Sequence, residues 1–160
     1  HGNALLSKFP IISCENHNIS ISGPERRGML HCTLQPPNRK HPIHAVCVHL
    51  SLQESHRQQQ LQRVSDLVNT FNPKDAVVVA GDFNDWRERA HDVLRSKADL
   101  HEVFVQSTGQ ALKTFPANMP LLTLDRIYVR NACVHTPIYL PRTPWNKLSD
   151  HAPLAADVSF

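Results

Sequence analysis

Residues 77–86 read Val-Val-Val-Ala-Gly-Asp-Phe-Asn-Asp-Trp, and this stretch decides the fold. Residues 77–80 form a short apolar run rich in β-branched side chains, which predicts a strand buried on both faces. Gly81 is expected to end that strand and to allow a sharp turn. Asp82 and Asn84 follow with one apolar residue between them, and in extended chain such a spacing points both side chains to the same side. The pattern therefore predicts one polar pocket directly after a buried strand.

A carboxylate beside a carboxamide suits a divalent cation or an attacking water, because the pair offers several acceptors, one donor group and one charge. The alternative is a β-turn without function, since Asp and Asn are common in turns. This stretch alone does not separate the two interpretations.

Further strand-like segments carry polar residues at their ends. His49 closes the apolar run of residues 46–50, and Asp125 opens the run of residues 124–129. Asp150 and His151 lead into a C-terminal apolar segment. A functional site assembled from several strand ends is therefore favoured over an isolated turn.

The ordered set HGNALLSKFPI, RRGML, VCVHLSL, VVVAGDFNDW, LTLDRIYV and LSDHAPL resembles the endonuclease/exonuclease/phosphatase superfamily of phosphoesterases, and most closely its small bacterial branch. The resemblance runs over residues 1–160 in the family's order. It implies a single α/β (α+β) domain over residues 1–160, a four-layer αββα sandwich of the DNase I-like type. The family's N-terminal strands and its metal-binding Glu have no counterpart here, so the resemblance implies an incomplete sandwich and a fragment of low activity.

The resemblance also implies roles for individual residues. The metal, Mg²⁺ or Mn²⁺, would be held by Asp150, Asp82 and Asn84. His151 would lie beside the scissile phosphate with Asp125 fixing its tautomer, while Asp82 and Asn84 orient the attacking water. His49 would stabilise the transition state or protonate the leaving group. Which histidine is the acid and which is the base stays open.

Two more residues are candidates for substrate binding. Arg27 precedes a strand where relatives carry an arginine that reaches a phosphate, and its planar fork suits that ligand. A solvated charge at a strand edge is the equal alternative. Asn3 falls where the family often places a polar residue facing the phosphate pocket, although a turn residue after Gly2 is the simpler interpretation.

The predicted activity is hydrolysis of a phosphodiester or phosphomonoester, with nucleic acid, a phospholipid head group or a sugar or inositol phosphate as substrate. The alternative is a non-catalytic binding module that keeps the fold. The joint presence of six suitable polar residues argues against that alternative; they are His49, Asp82, Asn84, Asp125, Asp150 and His151.

Composition bounds the function only loosely. A net charge of +3 permits an anionic substrate, but clustered Lys and Arg typical of dedicated nucleic-acid binders are absent from the sequence. No apolar run reaches the ~18 residues of a membrane span, and no stable protein partner is implied. Four cysteines without a C-x-x-C pair argue against a zinc site and favour a reducing, cytoplasmic location, with Cys47 and Cys133 as small buried residues.

The periodicity predicts the secondary structure. Residues 54–71 carry apolar side chains at three- and four-residue spacing, which predicts an amphipathic helix whose residues 53–62 are otherwise solvated. A shorter helix is expected over residues 87–96, and residues 100–105 are either extended or helical. Residues 114–120 are expected to form a loop, and the resemblance places it at the rim of the site, where Phe115 either touches substrate or packs. Strands are predicted at residues 1–7, 18–22, 28–34, 44–50 and 154–160, and within 130–145 before a proline-rich loop.

Overall fold

The computed structural model describes residues 2–160. Its elements in chain order are β1 (Ile11–Asn18), β2 (Gly28–Leu34), β3 (Ile43–His49), α1 (Glu54–Thr70), β4 (Ala76–Asp82), α2 (Arg89–Ala98), β5 (His101–Glu102), α3 (Val103–Thr108), β6 (Asp125–Arg130), β7 (Cys133–Ile138), α4 (Arg142–Trp145) and β8 (Ala155–Ser159). Within these described residues, no helix combines the length and the apolar character that crossing a membrane requires.

The larger sheet brings the polar strand ends together at one end of the sheet. Its six strands run in the order β1-β2-β3-β4-β6-β5, while β7 and β8 form a separate two-stranded sheet. The strands β3 and β4 are parallel, and α1 supplies the crossover that a parallel pair needs. The register places His49 opposite Asp82 and Asp82 opposite Asp125. Three strands therefore deliver three ionisable side chains to the same end of the sheet.

Apolar cores lie on both faces of the larger sheet. On one face, α1 and α2 pack against β3 and β4 through a core that includes Leu61 and Val79. On the other face, α3 and Val129 of β6 pack against apolar residues of the small sheet such as Val134 and Val158. Val78 of β4 contacts this second core, so the central strand is covered from both sides, as its apolar run predicts.

The long helix is confirmed almost to the residue. α1 spans Glu54–Thr70, and Phe71 is its C-cap rather than its last residue. The apolar stripe faces the sheet, where Leu61, Val64 and Val68 are buried. This contact fixes the crossover helix on the face of the sheet.

The N-terminal half of α1 is less solvated than its polar sequence predicts. Arg57 is fully buried because its guanidinium donates to the carbonyl oxygens of Ser51 and Leu52 and lies 4.9 Å from the ring centroid of Trp86. Gln60 is also buried, and its side-chain oxygen accepts a hydrogen bond from the backbone N–H of Ser51. Both side chains satisfy backbone groups of the loop after β3, so their polar atoms are paired rather than exposed.

Gly81 has a different role from the predicted strand breaker. It lies inside β4, which continues to Asp82, and it pairs with Val48 and Arg126. Its φ is +140°, and a Cβ at this position would stand 2.0 Å from the carbonyl oxygen of Val48. Glycine is therefore required by the close approach of β3, and not by a turn.

The N-terminal strands differ from the prediction. His1 lies outside the described residues, and residues 2–7 form no strand. The first strand is β1 at Ile11–Asn18, which pairs antiparallel with β2, so the predicted strand at residues 18–22 is wrong. Residues 19–27 instead form the long connection between these two strands. Pairing with β2 overrides the local apolar pattern that suggested earlier and later strands.

The second helix begins later than predicted. α2 spans Arg89–Ala98 instead of residues 87–96, because Glu88 adopts a left-handed conformation with a φ of 57°. The backbone N–H of Ala90 donates to the carboxylate of Asp85 at 2.6 Å, which satisfies a free donor of the first turn. The segment around residue 100 proves to be both alternatives in turn, since the two-residue β5 leads directly into α3.

The cysteines do not follow the predicted burial. Cys133 is exposed and Cys47 is half-buried, whereas Cys32 is buried. Cys14 and Cys32 face each other across β1 and β2 with their sulfur atoms 2.8 Å apart. Cys133 is exposed because β7 belongs to the small outer sheet, whose strands are largely accessible.

Candidate active site

The ends of β3 and β4 place His49 beside Asp82. The Nε2 atom of His49 lies 3.4 Å from a carboxylate oxygen of Asp82, and both side chains are partly covered. Burial and the positive charge of Arg27 lower the pKa of His49. Burial raises the pKa of Asp82, with a further increase from Asp125. Both pKa shifts favour the uncharged form of the side chain. The contact between His49 and Asp82 is therefore not a strong ion pair.

Asn84 lies at the same end of the sheet, but a turn places it there and not the extended backbone that the sequence predicted. Its φ is 50°, and its backbone N–H donates to Oδ1 of Asp82 at 2.8 Å. Its side-chain amide donates to the carbonyl oxygen of Leu50 at 2.9 Å, which orients the carboxamide. The predicted i, i+2 geometry is therefore wrong, and the alternative of a turn describes the backbone. The Asx turn nevertheless holds Asp82 and Asn84 together.

Asp125 and His151 form a hydrogen-bonded pair. Nδ1 of His151 lies 2.7 Å from Oδ2 of Asp125, as the resemblance implied for two residues distant in sequence. Burial lowers the pKa of His151, but the hydrogen bond and charge of Asp125, together with Asp82 and Asp150, raise that pKa above its usual value overall. The carboxylate accepts from Nδ1–H, which leaves Nε2 of the ring free to face a ligand.

The loop after residue 113 positions the segment that carries His151. The backbone N–H of Ala152 donates to the carbonyl oxygen of Thr114 at 2.8 Å, and that of Ala117 donates to the carbonyl oxygen of Asp150 at 2.7 Å. The Phe115 ring lies 5.0 Å from the His151 ring, centroid to centroid. The loop is therefore at the rim of the site as predicted, and Phe115 packs against the histidine.

Arg27 faces His49 across a cleft. The cleft has a volume of about 390 Å³, and Asn3, Arg27 and His49 line it. The guanidinium of Arg27 is bound by Glu25 at 2.6 Å, and the other oxygen of Glu25 accepts from the Ser51 hydroxyl at 2.5 Å. Sequence reasoning missed Glu25 and Ser51 as positioning residues, and the only local signal was the acid two residues before Arg27.

Asn3 contributes differently from the predicted phosphate contact. Its side-chain nitrogen donates to the carbonyl oxygens of Gly28 at 2.8 Å and Cys47 at 3.0 Å. Both amide hydrogens are therefore used to bridge β2 and β3. The residue lines the cleft, but its donors face the sheet.

The six predicted residues do not all open on one cavity. Asp125 and His151 line a second cavity of about 440 Å³, separate from the cleft at His49. The negative charge of Asp82 nevertheless acts on the pKa of both His49 and His151, so the two cavities lie on either side of one corner of ionisable side chains, formed by His49, Asp82, Asp125 and His151. Asp150 is exposed beside this corner.

The oxygen atoms of the corner fit a hard divalent cation. Asp125 is close enough to Asp82 for its charge to raise the pKa of Asp82, and a cation would relieve this repulsion. The acids here do not belong to a close group of three ligands within the described residues. They can supply part of a coordination shell, which suits Mg²⁺ because this ion keeps several waters.

Comparison with known proteins gives a consistent assignment. A model of the Endonuclease/Exonuclease/phosphatase family matches residues 1–151. The chain is 49% identical over 158 residues to the uncharacterized protein YbhP of Escherichia coli K12, covering 99% of this chain and 62% of that protein. The same identity and coverage hold for YbhP of Shigella flexneri. The chain thus spans less than two thirds of the length of these relatives.

Solved structures of the same fold are more distant in sequence. The endonuclease/exonuclease/phosphatase of Bacteroides vulgatus superposes with a TM-score of 0.80 at 17% identity, over 95% of this chain and 66% of that one. D. rerio TDP2 complexed with single strand DNA product gives a TM-score of 0.77 at 17% identity, over 94% and 68%. A mannosyl-6-phosphatase of Bacteroides thetaiotaomicron gives 0.75 at 16% identity, over 96% and 68%. These similarities confirm the predicted DNase I-like fold.

Proposed function

Because this chain belongs to the endonuclease/exonuclease/phosphatase family, we propose that it carries the catalytic corner of a divalent-metal-dependent phosphoesterase. The observation that carries the proposal is the Asp125–His151 hydrogen bond of 2.7 Å at the sheet edge where His49 and Asp82 also lie. The substrate is a phosphodiester or a phosphomonoester. The similar structures named above include TDP2 complexed with a single strand DNA product and a mannosyl-6-phosphatase, and this range supports the class of bond rather than a single substrate.

In this proposal Asp125 holds the His151 ring with Nδ1 protonated. The Nε2 atom of His151 then exchanges a proton with an oxygen of the phosphoryl group or with the attacking water. The raised pKa of His151 favours the imidazolium, which stabilises negative charge building up beside it. His49, whose pKa is lowered, serves as the neutral partner on the opposite side of Asp82.

Two other groups act on the substrate. Arg27 is presented to the cleft by Glu25 and Ser51, so its guanidinium binds phosphate oxygens without first being ordered. Asp82 and Asn84, which the Asx turn holds together, orient the attacking water. Asp82, Asn84 and Asp150 would hold Mg²⁺ or Mn²⁺, and when bound this ion neutralises charge on the phosphoryl oxygens.

The test compares hydrolysis of bis(p-nitrophenyl) phosphate and p-nitrophenyl phosphate by the purified protein. Activity is expected to vanish with EDTA and to return with Mg²⁺ or Mn²⁺. The His151→Gln variant should lose activity, whereas His135→Gln on the exposed strand β7 should keep it. Turnover that resists EDTA contradicts the metal dependence, and a His151→Gln variant with unchanged rate contradicts the assigned corner.

A further inference from the structure

A cluster of histidines lies at the edge strand β1, on the face of the larger sheet that packs against α1. Glu15 and His17 project from the same face of β1, and His31 of β2 pairs directly with Glu15. One potential ligand atom from each of Glu15, His17 and His31 lies within 4.8 Å of the other two. Among the described residues 2–160, these three side chains are therefore close enough to bind one ion.

A chain of hydrogen bonds determines which nitrogen of His31 is free. Asp75 is buried, and one of its oxygens accepts from Nε2 of His44 at 3.2 Å. Nδ1 of His44 is then the acceptor for Nε2–H of His31, at 2.9 Å. His31 is thereby left with an unprotonated Nδ1. Carboxylate-to-histidine relays of this kind are the outer partners that orient the histidine ligands of metal ions.

The rings of this relay are held by packing. Phe71, the C-cap of α1, stacks on His44 with ring centroids 3.8 Å apart and lies 4.7 Å from the His31 ring. Burial and the charges of His44 and His17 lower the pKa of His31 to about 4. The imidazole is therefore neutral over the ordinary pH range, which is the form a metal requires.

His17 contributes a polar atom without a partner. Its Nε2 is shielded from solvent and makes no hydrogen bond, although it lies 3.5 Å from a carboxylate oxygen of Glu15. A buried nitrogen left unpaired costs stability unless something binds it. The Glu15 side chain is 77% exposed and is free to turn toward an ion at this point.

We propose that Glu15, His17 and His31 form a second metal site that takes Zn²⁺ or a similar transition-metal ion. Two imidazoles and one carboxylate are ligands that Zn²⁺ accepts, with a water in the fourth position, whereas Mg²⁺ prefers oxygen ligands alone. The site is distinct from the catalytic corner, because Glu15 and His17 project from one face of β1, whereas the alternating residues Asn16 and Asn18 line the cleft at His49.

The ion would tie the edge strand to its neighbour. β1 is the outermost strand of the larger sheet and pairs with β2 alone. A metal shared by Glu15, His17 and His31 joins the two strands through their side chains, in addition to the backbone ladder. Its role is then structural, and stability should depend on the ion because it binds only the folded chain.

The test is calorimetric titration of the protein with ZnCl₂ in excess Mg²⁺, repeated in a His151→Gln background that removes a histidine of the catalytic corner. One Zn²⁺ per chain is expected in both, with a higher thermal unfolding temperature. The Glu15→Gln and His17→Gln variants should bind at least about tenfold more weakly. His135→Gln replaces an exposed histidine that contacts Ser159, and it should bind as the parent does.

Substitution with Co²⁺ locates the ion spectroscopically. The parent should show visible absorption bands typical of four-coordinate Co²⁺, and both variants should lose them. Because Glu15 is largely exposed, Glu15→Gln keeps the fold, and circular dichroism verifies this before titration. The proposal is overturned if the parent binds no Zn²⁺, if the variants bind as tightly as the parent, or if binding disappears in the His151→Gln background alone.

Discussion

Replacing Asp125 by Asn tests the catalytic corner at its best-defined contact. The Asp125–His151 bond is 2.7 Å long, within the range of charge-assisted hydrogen bonds, and the two side chains are only 21% and 26% exposed. A hydrogen bond to a charged group is worth about 1.5–3 kcal/mol, which corresponds to about a 10- to 150-fold loss in kcat/KM. Asn can also donate to Nδ1 and so favour the tautomer with Nε2 protonated, which adds to the loss.

The assay combines kinetics with a measurement of the tautomer. Hydrolysis of bis(p-nitrophenyl) phosphate with Mg²⁺ gives kcat/KM, and long-range ¹H–¹⁵N NMR reports which ring nitrogen of His151 carries the proton. Asp157→Asn removes an exposed carboxylate of β8 and is the matched control. The reasoning is refuted if Asp125→Asn changes kcat/KM by less than about twofold while the ring nitrogens of His151 keep their wild-type shifts.

Other substitutions test the scaffold. Gly81→Ala should destabilise the protein by at least about 2 kcal/mol in urea unfolding, because φ is +140° and the new Cβ would stand 2.0 Å from the Val48 carbonyl oxygen. Asn3→Ala removes two hydrogen bonds to strand carbonyls, so it should cost about 1–3 kcal/mol of stability and change KM little. With iodoacetamide at mildly alkaline pH, exposed Cys133 should react well before Cys32, since burial raises the pKa of Cys32 to about 11; mass spectrometry of the labelled peptides gives the order.

Each of these tests has a control variant or an outcome that would contradict it. Gly2→Ala places a Cβ in open space and should leave stability unchanged. An Asn3→Ala variant with normal stability and a raised KM would restore the predicted phosphate contact. Equal labelling rates of Cys32 and Cys133 would contradict the difference in exposure and thiolate formation.

Local patterns in the sequence were sufficient for several elements. The three- and four-residue spacing around Leu61 and Val64 predicted α1. A helix buries one face, and residues at this spacing lie on one face in consecutive turns. The apolar run before Asp82 predicted the central strand, because a strand covered on both faces is continuously apolar. The ordered motifs identified the family, and the resemblance to that family implied the Asp125–His151 pair.

Tertiary structure alone decided the contacts between strands. The sequence does not state which strand lies beside which. It therefore could not show that Gly81 contacts the Val48 carbonyl oxygen, or that the Asn3 amide donates to the carbonyl oxygens of Gly28 and Cys47. The same holds for the Glu15, His17 and His31 cluster, which exists only in the observed β1–β2 register. Periodicity records which side of an element is buried, whereas pairing and register depend on the free energy of the whole sheet, and a shift of one residue would turn every one of these side chains to the other face.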